Sequence, residues 1–197
     1  MKSTKTYLFA LLIAAVIVPF STTSMVDATT SNSDATDRPF ITSWETTAAG
    51  ESIVIPVGNA TGTYTVDWGD GNITTHAEDA THTYDTPGTH TVKISGDFTI
   101  IRLGDNGTNA AKLQSIDQWG TIQWDTMEYA FRGASSMIYN ATDTPDLSDV
   151  TSTSYMFYGT SKFTGDISGW NVSSVTYMAA MFEGATSFNQ PLNSWDV

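Results

Sequence analysis

The pattern of apolar and polar positions in residues 39–103 is that of short β-strands separated by turns. Residues 63–68 alternate, with Tyr64, Val66 and Trp68 on one face and polar residues on the other, as in a strand with one buried side. Further runs rich in β-branched residues lie between Gly, Pro and Asp turn signals, at residues 52–57, 81–84 and 89–94. Several such strands in one short segment predict a small antiparallel β-sandwich.

The second part of the chain, from about residue 110 to residue 197, carries an internal repeat. Phe131, Phe157 and Phe182 are separated by 26 and 25 residues. This period lies inside the range of about 20–29 residues that is typical of leucine-rich repeats. Because one coil of this kind cannot bury its apolar face alone, the repeat predicts a stacked solenoid.

Within each repeat the apolar spacing predicts a short helix. Val175, Met178 and Phe182 lie at i, i+3 and i+7, on one face of a helix. Just past the apolar run, where helices end in a left-handed residue, each copy has a glycine, at Gly133, Gly159 and Gly184. A short extended segment near residues 188–195 completes the coil. The predicted fold class is therefore α+β, a small antiparallel β-sandwich followed by a leucine-rich-repeat-like solenoid of short helices and strands.

The N-terminal residues 1–28 have the pattern of a signal peptide. Lys2 and Lys5 precede an apolar run of 14 residues at positions 7–20. A membrane-spanning helix needs about 20 apolar residues, so a signal peptide is favoured over a permanent anchor. Residues 29–37 contain no large apolar residue and are predicted to form a flexible linker. We expect a secreted or cell-surface protein with no membrane span in the mature chain.

Charge and cysteine content restrict the function further. The chain has a formal net charge of −13, and removal of residues 1–28, with Lys2, Lys5 and Asp27, makes it −14. An acidic surface disfavours nucleic acid and anionic lipid, which are bound by clustered Lys and Arg. The chain has no cysteine, which excludes disulfides, thiolate zinc sites and cysteine nucleophiles.

A long motif runs through the last repeat, in three consecutive segments. It reads Gly-Trp-Asn-Val-Ser-Ser-Val-Thr-Tyr-Met at 169–178, Met-Phe-Glu-Gly-Ala-Thr-Ser-Phe-Asn-Gln-Pro-Leu-Asn at 181–193 and Ser-Trp-Asp-Val at 194–197. On these residues the chain from roughly 119 to 197 resembles the BspA-type leucine-rich-repeat surface proteins, which carry a mycoplasma-type repeat of unknown function. The resemblance implies an exported protein that takes part in adhesion or protein–protein contact.

Two motifs follow each other in the first part of the chain. They are Val-Asp-Trp-Gly-Asp-Gly at 66–71 and His-Thr-Tyr-Asp-Thr-Pro-Gly-Thr-His-Thr-Val at 82–92. On them residues 38–105 resemble a β-sandwich of the polycystic-kidney-disease (PKD) type, although the segment is short for the full fold. Such modules are usually spacers or binding accessories, and the resemblance implies that role here. The predicted domains are thus 38–105 and 110–197.

The candidates for metal binding are two aspartates and three histidines. Asp67 and Asp70 flank the turn at Gly69 and could offer oxygens to Ca²⁺, but one loop has too few of the 6–8 ligands that calcium prefers. The same carboxylates also make such a turn by hydrogen-bonding their own backbone, which is the favoured interpretation. The histidines could approach one another on paired strands and bind zinc, but nothing in their spacing requires it; they are His76, His82 and His90. We expect packing roles for them, and no cofactor.

Binding residues are expected on the outside of the solenoid. The Trp and Phe positions repeat with the coil and are interpreted as a core ladder rather than a carbohydrate-stacking platform. The variable positions are therefore the candidate surface, namely Tyr158, Lys162, Tyr177 and Glu183. Candidate glycosylation sites, each an Asn-x-Ser/Thr sequon, are Asn59, Asn72, Asn106, Asn140 and Asn171.

The chain carries none of the common catalytic motifs of hydrolases, phosphate-binding loops or dinucleotide folds. We therefore expect a non-enzymatic protein that mediates adhesion or protein–protein interaction with an extracellular protein or glycan. Two alternatives remain open: a glycan-binding or structural envelope protein, and an accessory region of a larger extracellular enzyme. The sequence stops at Trp195–Val197, early in what would be another coil, so we expect further repeats beyond it.

Overall fold

A computed structural model describes residues 37–57 and 62–197. These residues fall within one compact unit. The predicted signal peptide at 1–28, all but the last residue of the predicted linker, and the sequon at Asn59 lie outside the described residues. Within the described part of the chain, no helix is long and apolar enough to cross a membrane.

Eight strands form two sheets. The strands are β1 (Phe40–Thr46), β2 (Glu51–Ile55), β3 (Tyr64–Asp67), β4 (Ile73–His76), β5 (Ala80–Tyr84), β6 (Gly88–Gly96), β7 (Leu113–Gln118) and β8 (Ile138–Tyr139). The larger sheet has the order β4-β3-β6-β1-β7-β8, and β2 pairs with β5 in a second sheet. Neighbouring strands are antiparallel except β7 and β8. A 3₁₀ turn at Leu103–Asp105 and the one-turn helix α1 (Gly107–Ala110) connect β6 to β7.

Alternation along the strands puts the aromatic residues of both sheets into one core. In β1, Phe40 and Trp44 point inward and are fully buried. In β3, Tyr64 and Val66 do the same, and the inward residues of β2 and β5 join the same cluster. The predicted strands at 52–57, 63–68, 81–84 and 89–94 are found in the structure as β2, β3, β5 and β6.

The large sheet continues into the repeat region. Strand β1 pairs with β6 on one side and with β7 on the other, and β7 pairs with β8 inside the repeats. Strands from both sides of the predicted boundary at residues 105–110 are therefore hydrogen-bonded into one sheet.

The repeat coils are built from tight turns, not from helices. In the described residues 119–197 no helix is present, so the predicted short helix at 175–182 is wrong. The described residues are 29% strand and 4% helix. This makes the protein mostly β and overturns the predicted α+β class.

Hydrogen bonds between coils explain why the apolar spacing does not form a helix. In an α-helix each amide donates to the carbonyl four residues earlier. Here alternate amides donate sideways to the next coil, as in Phe131 N to Met156 O at 3.0 Å and Phe157 N to Met181 O at 2.9 Å. The amides between them close shorter turns, such as Ala134 N to Phe131 O at 3.1 Å. A run of such turns places every third or fourth side chain inside, which gives the same sequence pattern as an amphipathic helix.

The repeated glycines have the predicted left-handed backbone, with φ of 79°, 72° and 75° at Gly133, Gly159 and Gly184. They serve a turn rather than a helix end. The predicted core ladder is confirmed: the Phe131 and Phe157 rings stack at 5.8 Å, and Phe157 and Phe182 at 5.9 Å.

Asp143 fastens the start of the first strand to the repeat region. Its Oδ1 accepts a hydrogen bond from Trp119 N at 2.9 Å, and its Oδ2 accepts one from Gly120 N at 3.0 Å. The same Oδ2 is 2.7 Å from a guanidinium nitrogen of Arg38. One carboxylate thus holds the backbone turn after β7 against the residues that precede β1.

Candidate functional site

One outer face of the solenoid carries tyrosine and arginine side chains from successive coils. Positions 129, 155 and 180 are equivalent in the three coils, and so are positions 132, 158 and 183. We call the surface formed by Arg102, Tyr129, Arg132, Tyr155 and Tyr158 the tyrosine–arginine face.

The backbone sets the positions of two of these tyrosines. Tyr129 and Tyr155 have positive φ values of 59° and 58°, a left-handed conformation that costs a residue with a side chain about 1–2 kcal/mol. Hydrogen bonds to the next coil hold this left-handed conformation, from Tyr129 N to Ser154 O at 3.0 Å and from Tyr155 N to Ala179 O at 2.9 Å. The two rings then stack with their centroids 5.0 Å apart and their planes within 10°.

The guanidinium of Arg132 lies against three rings. Its Cζ is 5.6 Å from the centroid of Tyr129, 5.8 Å from that of Tyr155 and 5.2 Å from that of Tyr158. These distances are within the reach of cation–π attraction. Gly104 leaves the space for this packing, because a Cβ there would lie 3.1 Å from the Cβ of Arg132.

Arg102 approaches the same stack from the segment that precedes the first coil. Its Cζ is 5.4 Å from the Tyr129 centroid. Its Nε is buried and has no hydrogen-bond partner among the described atoms. Tyr129 therefore contacts both the Arg102 guanidinium and the Tyr155 ring.

Three other cationic side chains in the described part of the chain are paired with acids. Arg38 pairs with Asp143 at 2.7 Å, Lys93 with Asp67 at 3.4 Å and Lys112 with Glu51 at 3.7 Å. Among the side chains that the structure describes, no carboxylate lies within ion-pair distance of Arg132 or of the exposed Lys162, and none of their side-chain nitrogens makes a hydrogen bond. In this acidic chain the guanidinium of Arg132 lies against aromatic rings and is not paired with a described acid.

The predicted surface residues fall partly on this face. Tyr158 belongs to it, and Glu183 occupies the equivalent position in the next coil. Tyr177, which is 68% exposed, and Lys162 occupy other repeat positions. Sequence reasoning missed Arg102, Tyr129, Arg132 and Tyr155. The available signal was the repeat itself, since aligning the three copies puts Tyr129 with Tyr155 and Arg132 with Tyr158.

The carboxylates of the two aspartates in the predicted calcium loop contact other groups of the chain. Asp67 Oδ1 accepts from Gly69 N at 3.0 Å, and its Oδ2 is 3.4 Å from Lys93 Nζ. Asp70 Oδ1 accepts from Asn72 N at 3.0 Å, and its Oδ2 is 2.7 Å from His82 Nε2.

Burial acts to raise the pKa of Asp70, but the hydrogen bonds from Asn72 and His82 outweigh it and hold the pKa at about 2. Within residues 37–57 and 62–197 no group of three or more His, Asp or Glu side chains is placed to hold a metal ion.

The three histidines are separated by other side chains. His76 Nε2 is 2.7 Å from Thr74 Oγ1 on the same strand. The Tyr84 ring contacts both of the others: His82 meets it edge-on at 4.6 Å, and His90 stacks on it at 3.5 Å. The structure gives each histidine a packing partner and does not bring the three together.

Burial lowers the pKa of His90 below its usual value of 6.5, which predicts a pH dependence of stability. The unfolded chain binds the proton more readily than the folded one. The contribution of His90 to the free energy of unfolding is therefore complete above pH 6.5 and is lost as the pH falls from there to the folded pKa. We expect urea unfolding to show this loss in the parent chain. The variant His90→Phe, which keeps an aromatic ring against Tyr84, should show a flatter profile in the same window.

A matched control separates the imidazole from its hydrogen bond. His90 Nε2 is 2.9 Å from Thr46 Oγ1, so Thr46→Val removes that contact and keeps the titrating ring. This variant should retain the pH slope. A His90→Phe profile as steep as that of the parent chain would contradict the assignment.

The described sequons all lie on the surface. Asn72, Asn106, Asn140 and Asn171 are exposed. Three of them make side-chain hydrogen bonds: Asn106 Oδ1 accepts from Asn109 N at 3.1 Å, Asn140 Nδ2 donates to Asp117 Oδ1 at 2.9 Å, and Asn171 Oδ1 accepts from Ser173 Oγ at 2.8 Å. Their glycosylation stays a prediction.

The described residues define a mostly β protein in which a sheet runs into a solenoid of turn-built coils with a tyrosine–arginine face. Within it, residues 105–197 match the family described as Mycoplasma protein of unknown function, DUF285. No curated protein and no solved structure matches the chain. The match covers the predicted repeat region, while the resemblance of residues 38–105 to a PKD module stays a prediction.

Proposed function

We propose that this is an exported, non-catalytic protein that mediates adhesion or protein–protein interaction at a cell surface. The observation that carries the proposal is the tyrosine–arginine face. Tyr and Arg are enriched among the residues that dominate binding energy at protein interfaces. Here five of these side chains lie together on one face of a solenoid, the kind of scaffold that offers an extended binding surface.

The rigidity of the face favours binding. Tyr129 and Tyr155 are held by backbone hydrogen bonds and by stacking on each other, and Arg132 is confined among three rings. Side chains that are already ordered lose less entropy when a partner binds. A surface tyrosine without ring stacking, for example Tyr177 at 68% exposure, lacks this advantage.

The remaining parts of the chain have supporting roles in this proposal. The repeats act as a BspA-like surface module, and the sheet formed by residues 38–105 acts as a PKD-like spacer. The fused sheet favours a rigid connection, because β7 pairs directly with β1.

Glycan binding is a second candidate, and a cleft favours it. A cavity of about 500 Å³ lies between the loops after β6 and β7 and is lined by Asp97, Thr99, Thr121, Gln123 and Asp146 among others. Carboxylate, amide and hydroxyl groups of this kind hydrogen-bond sugar hydroxyls.

The test is a binding screen of the full chain on arrays of cell-surface proteins and glycans. The diagnostic variant is Tyr155→Ala combined with Tyr158→Ala. Alanine fits the first position, because Ala180 has a φ of 51° at the equivalent position of the next coil. Tyr177→Ala is the matched control, since it removes an exposed tyrosine outside the face.

We expect a protein partner whose affinity falls about tenfold or more in the double variant and is unchanged in the control. A protein partner that binds the double variant as tightly as the parent chain would contradict the proposed face. A glycan partner that is lost in Gln123→Ala would favour the cleft and the second candidate.

A further inference from the structure

We propose that Arg132 is a receptor for the carboxylate of an acidic peptide segment on the partner protein. This inference rests on the proposed function and names the chemistry of its ligand. It starts from one contrast in the structure, between the ring contacts of Arg132 and the absence of any described partner for its N–H groups.

The rings position the guanidinium without using its donors. Attraction to Tyr129, Tyr155 and Tyr158 acts on the charge of Arg132, while its five N–H groups form a planar fork that hydrogen-bonds anions in the plane of the group. No described carboxylate forms an ion pair with this group. The fork is therefore positioned by ring contacts and is not paired with a described acid.

A carboxylate is the ligand that fits such a fork. Arginine and carboxylate form two parallel hydrogen bonds, which are shorter and stronger than neutral ones. Arg102 adds a second positive charge beside the same Tyr129 ring. The position of Arg132 is occupied by Tyr158 in the second coil and by the exposed Glu183 in the third, so the positive charges of this face, Arg102 and Arg132, lie before and within the first coil.

The geometry of the rings favours a peptide over a sugar. Sugars bind aromatic residues through the faces of the rings, but the Tyr129 ring is already contacted by the Arg102 guanidinium at 5.4 Å and stacked on the Tyr155 ring at 5.0 Å. Tyrosine hydroxyls and an arginine fork are suited to the backbone carbonyls and acidic side chains of a peptide.

The acidic net charge of the chain does not prevent this contact. At physiological ionic strength, charges more than about 8 Å apart are largely screened. A carboxylate that touches Arg132 is therefore governed by the guanidinium and not by the remote acids that produce the net charge of −13.

The experiment measures binding of the full chain to a short soluble peptide of alternating glutamate and serine. The same peptide with glutamine in place of glutamate is the ligand control, and polygalacturonate is the carboxylated sugar for comparison. The protein variants are Arg132→Gln and Arg132→Lys. Lys162→Gln is the matched control, because it removes one exposed positive charge elsewhere on the solenoid. Unfolding midpoints of all variants establish that they are folded.

We expect the glutamate peptide to bind and the glutamine peptide not to bind. Arg132→Gln should weaken binding about tenfold, and Arg132→Lys should also weaken it because an ammonium lacks the fork. Lys162→Gln should bind like the parent chain. The side-chain Nε–H resonance of Arg132 should shift on addition of the glutamate peptide.

Three outcomes would overturn the inference: equal losses in Arg132→Gln and Lys162→Gln, Arg132-dependent binding of polygalacturonate alone, or no binding of either ligand to the folded chain. The proposed function fails separately. A protein partner that loses its binding in the tyrosine double variant could still bind Arg132→Gln as tightly as the parent chain. That result would support the interaction face and contradict the carboxylate receptor.

Discussion

Replacing Trp119 with alanine should lower the free energy of unfolding by about 4 kcal/mol, the middle of the range for removing a buried Phe or Trp. Trp119 is fully buried and lies where the sheet meets the coils. Its ring packs against Phe40 of β1 at 5.6 Å, against Phe131 of the first coil at 5.9 Å and against Trp170 of a later coil at 5.4 Å. Its loss opens a cavity at the junction of all three.

The indole of Trp119 also makes a polar contact that a smaller aromatic cannot replace. Its Nε1 donates to the hydroxyl of Tyr139 at 2.8 Å. Trp119→Phe keeps most of the apolar contact and leaves that hydroxyl without its donor, so it should cost less than alanine, about 1–2 kcal/mol.

Urea unfolding of the two Trp119 variants and of Tyr177→Ala tests this prediction. Tyr177 is 68% exposed, so its removal should change stability by no more than about 0.5 kcal/mol. A loss below about 1 kcal/mol in Trp119→Ala would show that the sheet and the coils do not depend on a shared core.

Gly120→Ala should destabilise the protein by about 3 kcal/mol or more, because two penalties act at the same residue. Gly120 has a φ of +70°, which costs alanine about 1 kcal/mol. An added Cβ would also collide with the backbone carbonyls of Arg38 and Pro39. Backbone atoms cannot rotate away as a flexible side chain can.

The collision would also disturb hydrogen bonds that join the residues before β1 to the repeat region. Gly120 N donates to Asp143 Oδ2 at 3.0 Å, and the next amide, Thr121 N, donates to Arg38 O at 2.9 Å. Moving the turn to make room for a Cβ would lengthen both hydrogen bonds.

Gly50→Ala is the matched control for Gly120→Ala. Gly50 has a similar φ of +79°, but a Cβ there would meet nothing within 4 Å. This variant should lose only the backbone penalty of about 1 kcal/mol. Equal losses for the two variants, measured by urea unfolding, would show that the close approach of residues 38 and 39 to the turn is not important for stability.

The aromatic ladder was accessible from the sequence, because a 25-residue period and stacked coils impose the same geometry on every copy. The positions of Phe131, Phe157 and Phe182 follow from that requirement alone. The coil conformation was not accessible from the sequence, because a series of tight turns and an amphipathic helix place apolar residues at the same spacing. The two differ in where the amides donate, and the acceptor of Phe157 N is Met181 O in another coil.

The candidate site was only partly accessible for a related reason. Tyr158 was expected on the surface as a variable position, whereas Arg132 has no distinctive sequence context. Its surroundings come from three residues of two coils, and from Gly104, which belongs to the segment before them. These are brought together only when the coils stack in register.

The sequence by itself determined the strands that alternate apolar and polar residues, the repeat and its ladder, and the acidic charge, since each depends on local spacing or on a count. Only the tertiary structure decided that the coils are turns, that β7 joins β1 in a single sheet, and that Arg132 lies among three tyrosine rings. The physical reason is that these features depend on hydrogen bonds and contacts between residues far apart in the chain. A local pattern reports which side of a segment is buried, but not the partner that buries it.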